Sequence, residues 1–249
     1  MAESDKHPAK TRILVLEEHP LLRHGTSAYL NAQPDMIVCG EVDSIPGARS
    51  NIPKCKPQLL LTALRVGTGD SLEFVKALKA ERLELLILVY SAFEESIFAD
   101  RALRSGAHGY VMKKAPKEEL VIAIREIMSG EIYVSRNVAM RAFRKSLETR
   151  PENHPPRSAS VIENLSDREL HIFNLLGSGL GTRQIAHSLN LSVKTIESHR
   201  ENIKHKLGLN CSGDLVERAT KYVEETFMPP KKEPLSAVGK KKVVRFGAA

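Results

Sequence analysis

Four polar residues follow short apolar stretches, at positions where their side chains could bind an ion. Glu17 and Glu18 come directly after Ile13–Leu16, and Ser91 and Lys113 follow two later apolar stretches. If these stretches are parallel strands, the four side chains meet at the carboxyl edge of one sheet, where such sheets bind ligands. Two carboxylates with further oxygen donors can hold a hard cation. An ion pair between Lys113 and Glu17 or Glu18 is the alternative, and it would be purely structural.

A second group of polar residues lies on an amphipathic helix that we predict between Ser192 and Gly208. Ile196 and Ile203 recur at helical spacing and mark the buried face. The Ser192 hydroxyl can cap the first turn, and glycine at position 208 can end the helix in the left-handed conformation. The opposite face presents charged and hydroxyl groups that suit the major groove of DNA, namely Lys194, Glu197, Ser198, Glu201 and His205.

Two further helices are predicted just before this one. Ser166 and Glu169 form a capping box that opens the first of them, and the Gly177–Gly179 segment ends it. A short helix follows at about Thr182–Leu189, and a tight turn then leads into the amphipathic helix. A helix, a three-residue turn and a second helix are typical of helix-turn-helix proteins, whose second helix enters the DNA groove.

The first half of the chain alternates apolar strands with helices. The predicted strands are Ile13–Leu16, Met36–Cys39, Leu59–Thr62, Leu85–Tyr90 and Gly109–Met112, and the helices lie near His19–Gln33, Ser71–Glu81, Glu95–Ser105 and Pro116–Met128. The second helical position, SIPGARSNIPK, carries Pro46 and Pro53, which favour an irregular segment there. Five strands separated by helices indicate a parallel sheet that is covered on both faces.

Both halves resemble known families. The segment LSDRELHIFNLLGSGLGTRQIAHSLNLSVKTIESHRENIKHKLGL resembles the LuxR-type DNA-binding domain, over roughly Val161–Phe227. In that family the last helix, here from Gly213 onward, makes dimer contacts. The fragments ILVLEEHPLLRHG, KPQLLLTALRVGTGDSLE, LLILVYSA and ALRSGAHGYVMKKAP resemble the receiver domain of NarL/FixJ-type response regulators. The resemblance implies a flavodoxin-like receiver with a five-stranded parallel sheet, followed by an all-α helix-turn-helix domain.

The receiver resemblance implies a role for each polar residue at the sheet edge. An acidic pair holds Mg²⁺ in that family, and Glu17 and Glu18 occupy its positions. A hydroxyl residue and a lysine bind the phosphoryl oxygens, and Ser91 and Lys113 match them. An aromatic residue three positions before the lysine reports the activation state, and Tyr110 stands there.

The residue at the phosphoryl-acceptor position departs from the family. The register set by Pro57 and by Asp70 places Ala63 where the family has an aspartate. A methyl group cannot accept a phosphoryl group, and its presence removes one carboxylate from the metal site. We therefore expect a degenerate receiver pocket formed by Glu17, Glu18, Ala63, Ser91, Tyr110 and Lys113. We assign no metal, no cofactor and no catalytic residue.

The DNA-binding resemblance divides the exposed residues into two groups. Family geometry directs Glu197, Ser198 and Glu201 toward base edges, which specify sequence, whereas cations on phosphates position the protein. Two acidic residues at reading positions also repel phosphates unless a neighbour such as Lys204 pairs with one of them. The full set of expected DNA-contacting residues is Thr182, Arg183, Lys194, Thr195, Glu197, Ser198, Arg200, Glu201, Lys204 and Lys206.

Composition limits the remaining possibilities. A chain of 249 residues has room for two domains, and it has no apolar run long enough for a membrane span. Its start lacks the apolar core of a signal peptide. The three cysteines, Cys39, Cys55 and Cys211, show no CxxC spacing, which disfavours a disulfide framework and suits a reducing cytosol. Much of the net charge of +7 lies in the Lys-rich stretch after residue 228.

We predict a pseudo-receiver over residues 11–130, a linker with a possible helix over 131–160, a LuxR-type domain over 161–227 and a basic disordered tail over 228–249. The expected protein is a cytoplasmic transcription regulator that binds double-stranded DNA as a homodimer and is not controlled by aspartyl phosphorylation. A regulatory protein or ligand at the receiver would then control it. The alternatives are an ordinary phosphorylated regulator and an interaction adaptor with little sequence-specific DNA binding; a quorum-sensing regulator and an enzyme are disfavoured.

Overall fold

A computed structural model describes residues 10–81, 84–147 and 161–227 of the chain. The first part alternates strands and helices as far as α5, and α6 follows. The elements are β1 Thr11–Leu16, α1 Pro20–Asn31, β2 Met36–Val42, α2 Ile45–Cys55, β3 Leu59–Thr62, β4 Arg65–Val66, β5 Gly69–Asp70, α3 Ser71–Glu81, β6 Leu86–Ser91, α4 Glu95–Arg104, β7 Gly109–Met112, α5 Lys117–Met128 and α6 Arg136–Leu147. The linker residues 148–160 and the tail 228–249 lie outside the described part.

The five main strands form one parallel sheet in the order β2-β1-β3-β6-β7, and β4 and β5 form a separate small hairpin. Alternation along β1 fixes the two faces of the sheet. Ile13 and Val15 belong to the core cluster that contains α1 and α5 residues, and Leu14 and Leu16 belong to the one that contains residues of α2, α3 and α4. This is the expected five-stranded α/β fold, and it brings the carboxyl ends of β1, β3, β6 and β7 to one edge.

The second helix corrects the expectation of an irregular segment. α2 is a regular helix whose N-cap, Ser44, accepts a hydrogen bond from the amide of Gly47 at 3.3 Å. Pro46 lies in the first turn, where a helix does not use the amide hydrogen that proline lacks. Pro53 lies in the last turn, so only one hydrogen bond near the end is lost. The positions of the prolines, rather than their number, decide the outcome.

The second domain is entirely helical, with a short 3₁₀ turn at Val161–Asn164. Its helices are α7 Asp167–Gly177, α8 Thr182–Ser188, α9 Val193–Leu207 and α10 Ser212–Phe227. The core contains Phe173, Ile196 and Ile203, which are all fully buried. A Cβ at Gly177 would lie 2.3 Å from the carbonyl oxygen of Ala219, so only glycine allows α7 and α10 to approach this closely. No helix in the described ranges is long and apolar enough to cross a membrane.

The two domains dock through the start of α7. Asp167 bonds Arg101 of α4 at 2.8 Å and Lys76 of α3 at 3.2 Å. His171 hydrogen-bonds to the carbonyl oxygen of Thr68 in the β4–β5 hairpin at 3.1 Å, where the ring nitrogen must donate. Burial is the main cause that lowers the pKa of His171, so docking favours the neutral ring. This contact does not cover the first turn of α9, where Lys194 is exposed.

Candidate functional site

The first acidic residue of the sheet edge is bound by its neighbours. Glu17 has a side chain only 6% exposed, and its Oε2 lies 2.5 Å from the ammonium of Lys113. Its Oε1 accepts from the backbone amide of His19 at 3.0 Å and lies 2.7 Å from the His19 ring. Burial alone would raise the pKa of Glu17, but Lys113 and His19 outweigh it and the pKa is lowered. The carboxylate is therefore ionised and fully partnered, and the ion pair considered from the sequence is present.

The second acidic residue turns away from the first. Glu18 Oε2 accepts from the backbone amide of Gly67 at 2.6 Å, and its Oε1 lies 4.0 Å from Nε of Arg65. Gly67 has φ of 60°, a left-handed conformation that suits glycine. Glu18 thus ties the first strand to the β4–β5 hairpin.

Ala63 follows β3 at the carboxyl edge of the sheet and is 4% exposed. Its amide donates to the carbonyl oxygen of Leu16 at 3.0 Å. With Glu17 and Thr62 it lines a cavity of about 10 Å³, no larger than one water requires. Asp70 does not occupy this position, because it lies in the hairpin and accepts from the first amides of α3.

The hydroxyl and aromatic residues of the pocket are also satisfied internally. Ser91 Oγ accepts from the backbone amide of Phe93 at 3.2 Å, and the Tyr110 hydroxyl donates to the Phe93 carbonyl oxygen at 2.8 Å. Tyr110 is fully buried. Burial raises the pKa of its hydroxyl, so the phenol stays neutral.

This donor set does not fit the Mg²⁺ ion of the receiver family. Mg²⁺ requires near-octahedral oxygen ligands, usually with one or two carboxylates directed at it. Here both oxygens of Glu17 are hydrogen-bonded, Glu18 points to Gly67, and Ala63 offers a methyl group. Within the described ranges, no group of three or more His, Cys, Asp or Glu side chains could hold a metal ion.

The amphipathic helix has the local structure that its sequence predicts. Ser192 Oγ accepts from the amide of Thr195 at 3.0 Å, and Gly208 ends α9 with φ of 66°. Ile196 and Ile203 are completely buried against the other helices of the domain. The capping box of α7 is also confirmed, with the Ser166 amide donating to Glu169 at 2.7 Å. Packing therefore fixes which face of α9 meets solvent.

The candidate base-reading residues share that solvent-facing side. The side chains of Lys194, Glu197, Ser198 and Glu201 are all exposed. Glu201 lies 2.9 Å from Lys204, so one of the two acidic residues is paired within the helix, one of the pairings considered from the sequence. Ser198 donates to the carbonyl oxygen of Lys194 at 3.0 Å, which leaves its oxygen lone pairs accessible.

Two of the expected phosphate-binding cations instead bond within the domain. Lys206 lies 2.7 Å from Glu169 Oε2, where it supports the capping box. Burial tends to raise the pKa of Glu169, yet Lys206 and Ser166 lower it overall. Arg200 donates to the hydroxyl of Thr182 at 2.8 Å and joins α9 to the start of α8. Spacing along one helix does not reveal these partners, because they belong to other helices.

The comparisons with known proteins agree with this architecture. Residues 13–125 match the response regulator receiver domain, and residues 163–219 match the luxR family of bacterial regulatory proteins. The oxygen regulatory protein NreC of Staphylococcus aureus (strain bovine RF122 / ET3-1) is 33% identical over 211 residues, which cover 84% of this chain and 97% of that protein. These matches define a response regulator with a LuxR-type DNA-binding domain. This chain belongs to the LuxR family of DNA-binding response regulators.

Solved structures show the same fold. The response regulator RcsB of Salmonella typhimurium superposes with a TM-score of 0.68 at 22% identity, covering 86% of this chain and 99% of that one. RcsB of Salmonella enterica serovar Typhimurium bound to the promoter rprA gives 0.66 at 20% identity, over 85% and 98% of the two chains. A LuxR-family response regulator from Aurantimonas sp. SI85-9A1 gives 0.52 at 25% identity, over 56% and 100%.

Proposed function

We propose that this chain is a transcription regulator whose receiver is not controlled by aspartyl phosphorylation and whose second domain binds double-stranded DNA as a homodimer. Residues 11–130 act as the pseudo-receiver and residues 161–227 as the DNA-binding unit. A partner protein or a ligand at the receiver replaces the phosphoryl signal. The observation that carries the proposal is the buried methyl group of Ala63 beside a closed Glu17–Lys113 ion pair.

Chemistry at the receiver supports the absence of phosphoryl transfer. An acceptor needs a nucleophilic oxygen, and the side chain of Ala63 has none. The Lys113 ammonium that would neutralise a phosphoryl group is already bonded to Glu17 at 2.5 Å. A population shift requires a ligand that prefers one state. The phosphoryl group cannot be that ligand here.

Exposure of α9 supports the DNA-binding half of the proposal. Glu197 can accept a hydrogen bond from the amino group of cytosine, and Ser198 can serve as donor or acceptor. Arg183 and Lys194 are exposed cations beside that face and suit phosphate contacts. Structures of RcsB bound to promoter DNA have the same fold. We assign dimer contacts to α10, whose Val216 is 38% exposed.

Acetyl phosphate tests the receiver half of the proposal. The full chain is incubated with acetyl phosphate and Mg²⁺, and intact mass is measured before and after treatment with hydroxylamine. We expect no hydroxylamine-sensitive phosphoryl group on this chain, while a response regulator with an acceptor aspartate gains one in the same reaction. One such group on Asp or Glu of this chain would overturn the proposal.

A gel shift tests the DNA half. DNA from upstream of the protein's own gene is titrated with the full chain at a stated salt concentration, against a competitor of scrambled sequence. We expect a specific complex whose size corresponds to two chains. Binding that the scrambled competitor removes equally well would favour the adaptor instead.

A further inference from the structure

Two cysteines that are far apart in the sequence lie side by side in the fold. Cys39 is on β2, and Cys55 is the last residue of α2. A Cβ placed on Gly40 would lie 3.5 Å from the sulfur of Cys55, so this thiol packs over the backbone next to Cys39. Each thiol donates to a backbone carbonyl oxygen of this region, Cys39 to Ile13 at 3.3 Å and Cys55 to Asn51 at 2.9 Å. Both are half-buried free thiols.

A bulge in the edge strand creates this proximity. β1 pairs Ile13 with Val38 and Leu14 with Gly40, so Cys39 is the extra residue. A bulge interrupts the alternation of side chains and redirects the residues next to it. A Cβ at position 40 would lie 2.9 Å from Cδ1 of Leu14, so glycine leaves room there for Leu14 beside the sulfur of Cys55. The sequence spacing of the cysteines gives no sign of this arrangement.

The surroundings of the thiols are positively charged. Arg12 donates from Nε and Nη2 to the carbonyl oxygen of Cys55 at 3.0 and 2.6 Å. Lys54 and Lys56 flank Cys55 and are exposed. Burial, and then the neighbouring Cys55, raise the pKa of Cys39 to about 11, although Arg12 acts in the opposite direction. Cys39 is therefore protonated at neutral pH.

We propose that Cys39 and Cys55 form a redox-active dithiol, which anionic low-molecular-weight disulfides such as oxidised glutathione convert into an intramolecular disulfide. The sulfur of Cys55 packs over the backbone next to Cys39, so a bond between the two side chains needs little backbone movement. The cationic rim of Arg12, Lys54 and Lys56 attracts the negatively charged oxidant. This assignment is independent of how the receiver is controlled.

The reaction is a two-step exchange. The Cys55 thiolate attacks one sulfur of oxidised glutathione, forms a mixed disulfide and releases one glutathione, which takes up a proton. Cys39 then loses its proton and attacks the sulfur of Cys55, which expels the second glutathione. Two protein thiols are oxidised to one disulfide, and one glutathione disulfide is reduced to two thiols. The high pKa of Cys39 makes it the slower first nucleophile, which assigns the first attack to Cys55.

The disulfide would join α2 to the edge strand of the sheet. α2 contains Pro46, Gly47 and Pro53, which are poor helix formers, so the helix depends on its tertiary contacts. A closed loop over residues 39–55 restricts the unfolded chain. We expect the thermal midpoint of the oxidised protein to rise by about 5–10 °C over the reduced protein.

The test uses the full chain with Cys211→Ser, which removes the exposed third thiol. After exposure to oxidised glutathione, we expect the intact mass to fall by two hydrogens. A peptide map without reductant should show residues 39 and 55 linked, and dithiothreitol should reverse the change. Adding Cys39→Ser should stop the reaction at one glutathione on Cys55, without the rise in thermal midpoint.

Three results would overturn the proposal. They are stable glutathione adducts on both cysteines without a link, links only between chains, and no reaction under conditions that oxidise free dithiothreitol. The thermal midpoint of each reduced variant shows whether serine at position 39 or 211 preserves the fold. If Cys39→Ser unfolds the chain, Cys55→Ser replaces it, and this variant should take up no glutathione at the pair.

Discussion

The receiver pocket and α9 both carry acidic side chains, but these side chains have different surroundings. In the pocket, Glu17 is 6% exposed and bonded on both oxygens. On α9, Glu201 is 68% exposed and has one lysine partner from its own helix, and Glu197 is exposed as well. A buried carboxylate must find partners within the protein, because an unpaired buried charge is costly. An exposed one remains available to a ligand.

This difference separates residues that maintain the fold from residues that can recognise something. Glu17 and Glu18 match the family's metal-binding positions and Lys113 matches a phosphoryl-binding position, yet all three bond to other groups of the receiver. Residue type alone therefore does not identify a working site.

The largest effect is expected from Lys113→Ala, which should lower the free energy of unfolding. The substitution leaves Glu17 buried without its cation, and breaking a buried ion pair costs about 3–5 kcal/mol. Urea unfolding monitored by circular dichroism measures the free energy of unfolding. Lys114→Ala is the matched control: this lysine is 70% exposed and pairs with Glu94, so the loss should stay below about 1 kcal/mol. Equal effects of the two substitutions would contradict the structural role of the pair.

The pH dependence of the same variant has a defined sign. The pKa of Glu17 is lowered by the fold, so its contribution to stability is present above the ordinary value of 4.5 and is lost as the pH falls through the folded pKa. Without Lys113, burial acts on Glu17 with less compensation and its pKa rises. When the pH is lowered from 7 to 5, the free energy of unfolding of Lys113→Ala should therefore rise. In the native chain, Glu17 contributes no such increase over this range.

The second largest effect is expected from Glu197→Ala, which removes an exposed carboxylate from α9 and should change the DNA sequence preference. Glu197 is exposed on α9, and removing one base contact changes discrimination by about 1–3 kcal/mol. Selection of binding sites from random DNA should return a motif with relaxed preference at one position. Glu131→Ala changes an exposed carboxylate of the receiver and should leave the motif unchanged. An unaltered motif for Glu197→Ala would remove this residue from the reading set.

Much of the fold could be predicted because its signals are local. The capping box at Ser166, the cap at Ser192 and the glycine at 208 each depend on residues within a few positions, and the structure has all three. α2 was missed because Pro46 lies in the first turn, where proline is tolerated, and Pro53 lies in the last turn, where it costs a single hydrogen bond. The C-cap of α2 is Lys56, a left-handed residue that is not glycine, so the sequence carried no signal for the end of this helix.

Contacts between elements that are far apart along the chain could not be predicted from the sequence. Lys206 has the spacing of a phosphate-binding residue on α9, but its partner Glu169 comes from α7. The approach of Cys39 to Cys55 depends on a bulge that no residue pattern announces. Docking of His171 on the β4–β5 hairpin likewise requires the two domains to be assembled.

A lower pH should weaken the contact between the two domains at His171, and we expect this effect to be smaller. Burial lowers the pKa of His171 despite the opposing charge of Asp70. The contribution of a neutral His171 is present above pH 6.5 and is lost as the pH falls below that value, by at most about 1.4 kcal/mol per pH unit. Hydrogen exchange of α7 amides should speed up between pH 7 and 5.5, after correction for the intrinsic rate. His171→Gln, which keeps a donor for Thr68, should show no such change.

The smallest effects are expected from substitutions of two lysines of α9, Lys194 and Lys206, which should differ in what they change. Lys206 is bonded to Glu169, so Lys206→Ala should lower the free energy of unfolding by about 1 kcal/mol and leave the salt dependence of DNA binding unchanged. Lys194 is exposed, so Lys194→Ala should leave stability unchanged and reduce the slope of log affinity against log salt by about 1. Unfolding in urea and binding titrations at several salt concentrations measure both quantities. The opposite result would be a loss of stability for Lys194→Ala and a reduced salt dependence of DNA binding for Lys206→Ala. It would show that ion pairs within the domain do not determine which lysines contact DNA, and that partnered and exposed charges do not differ in the way described above.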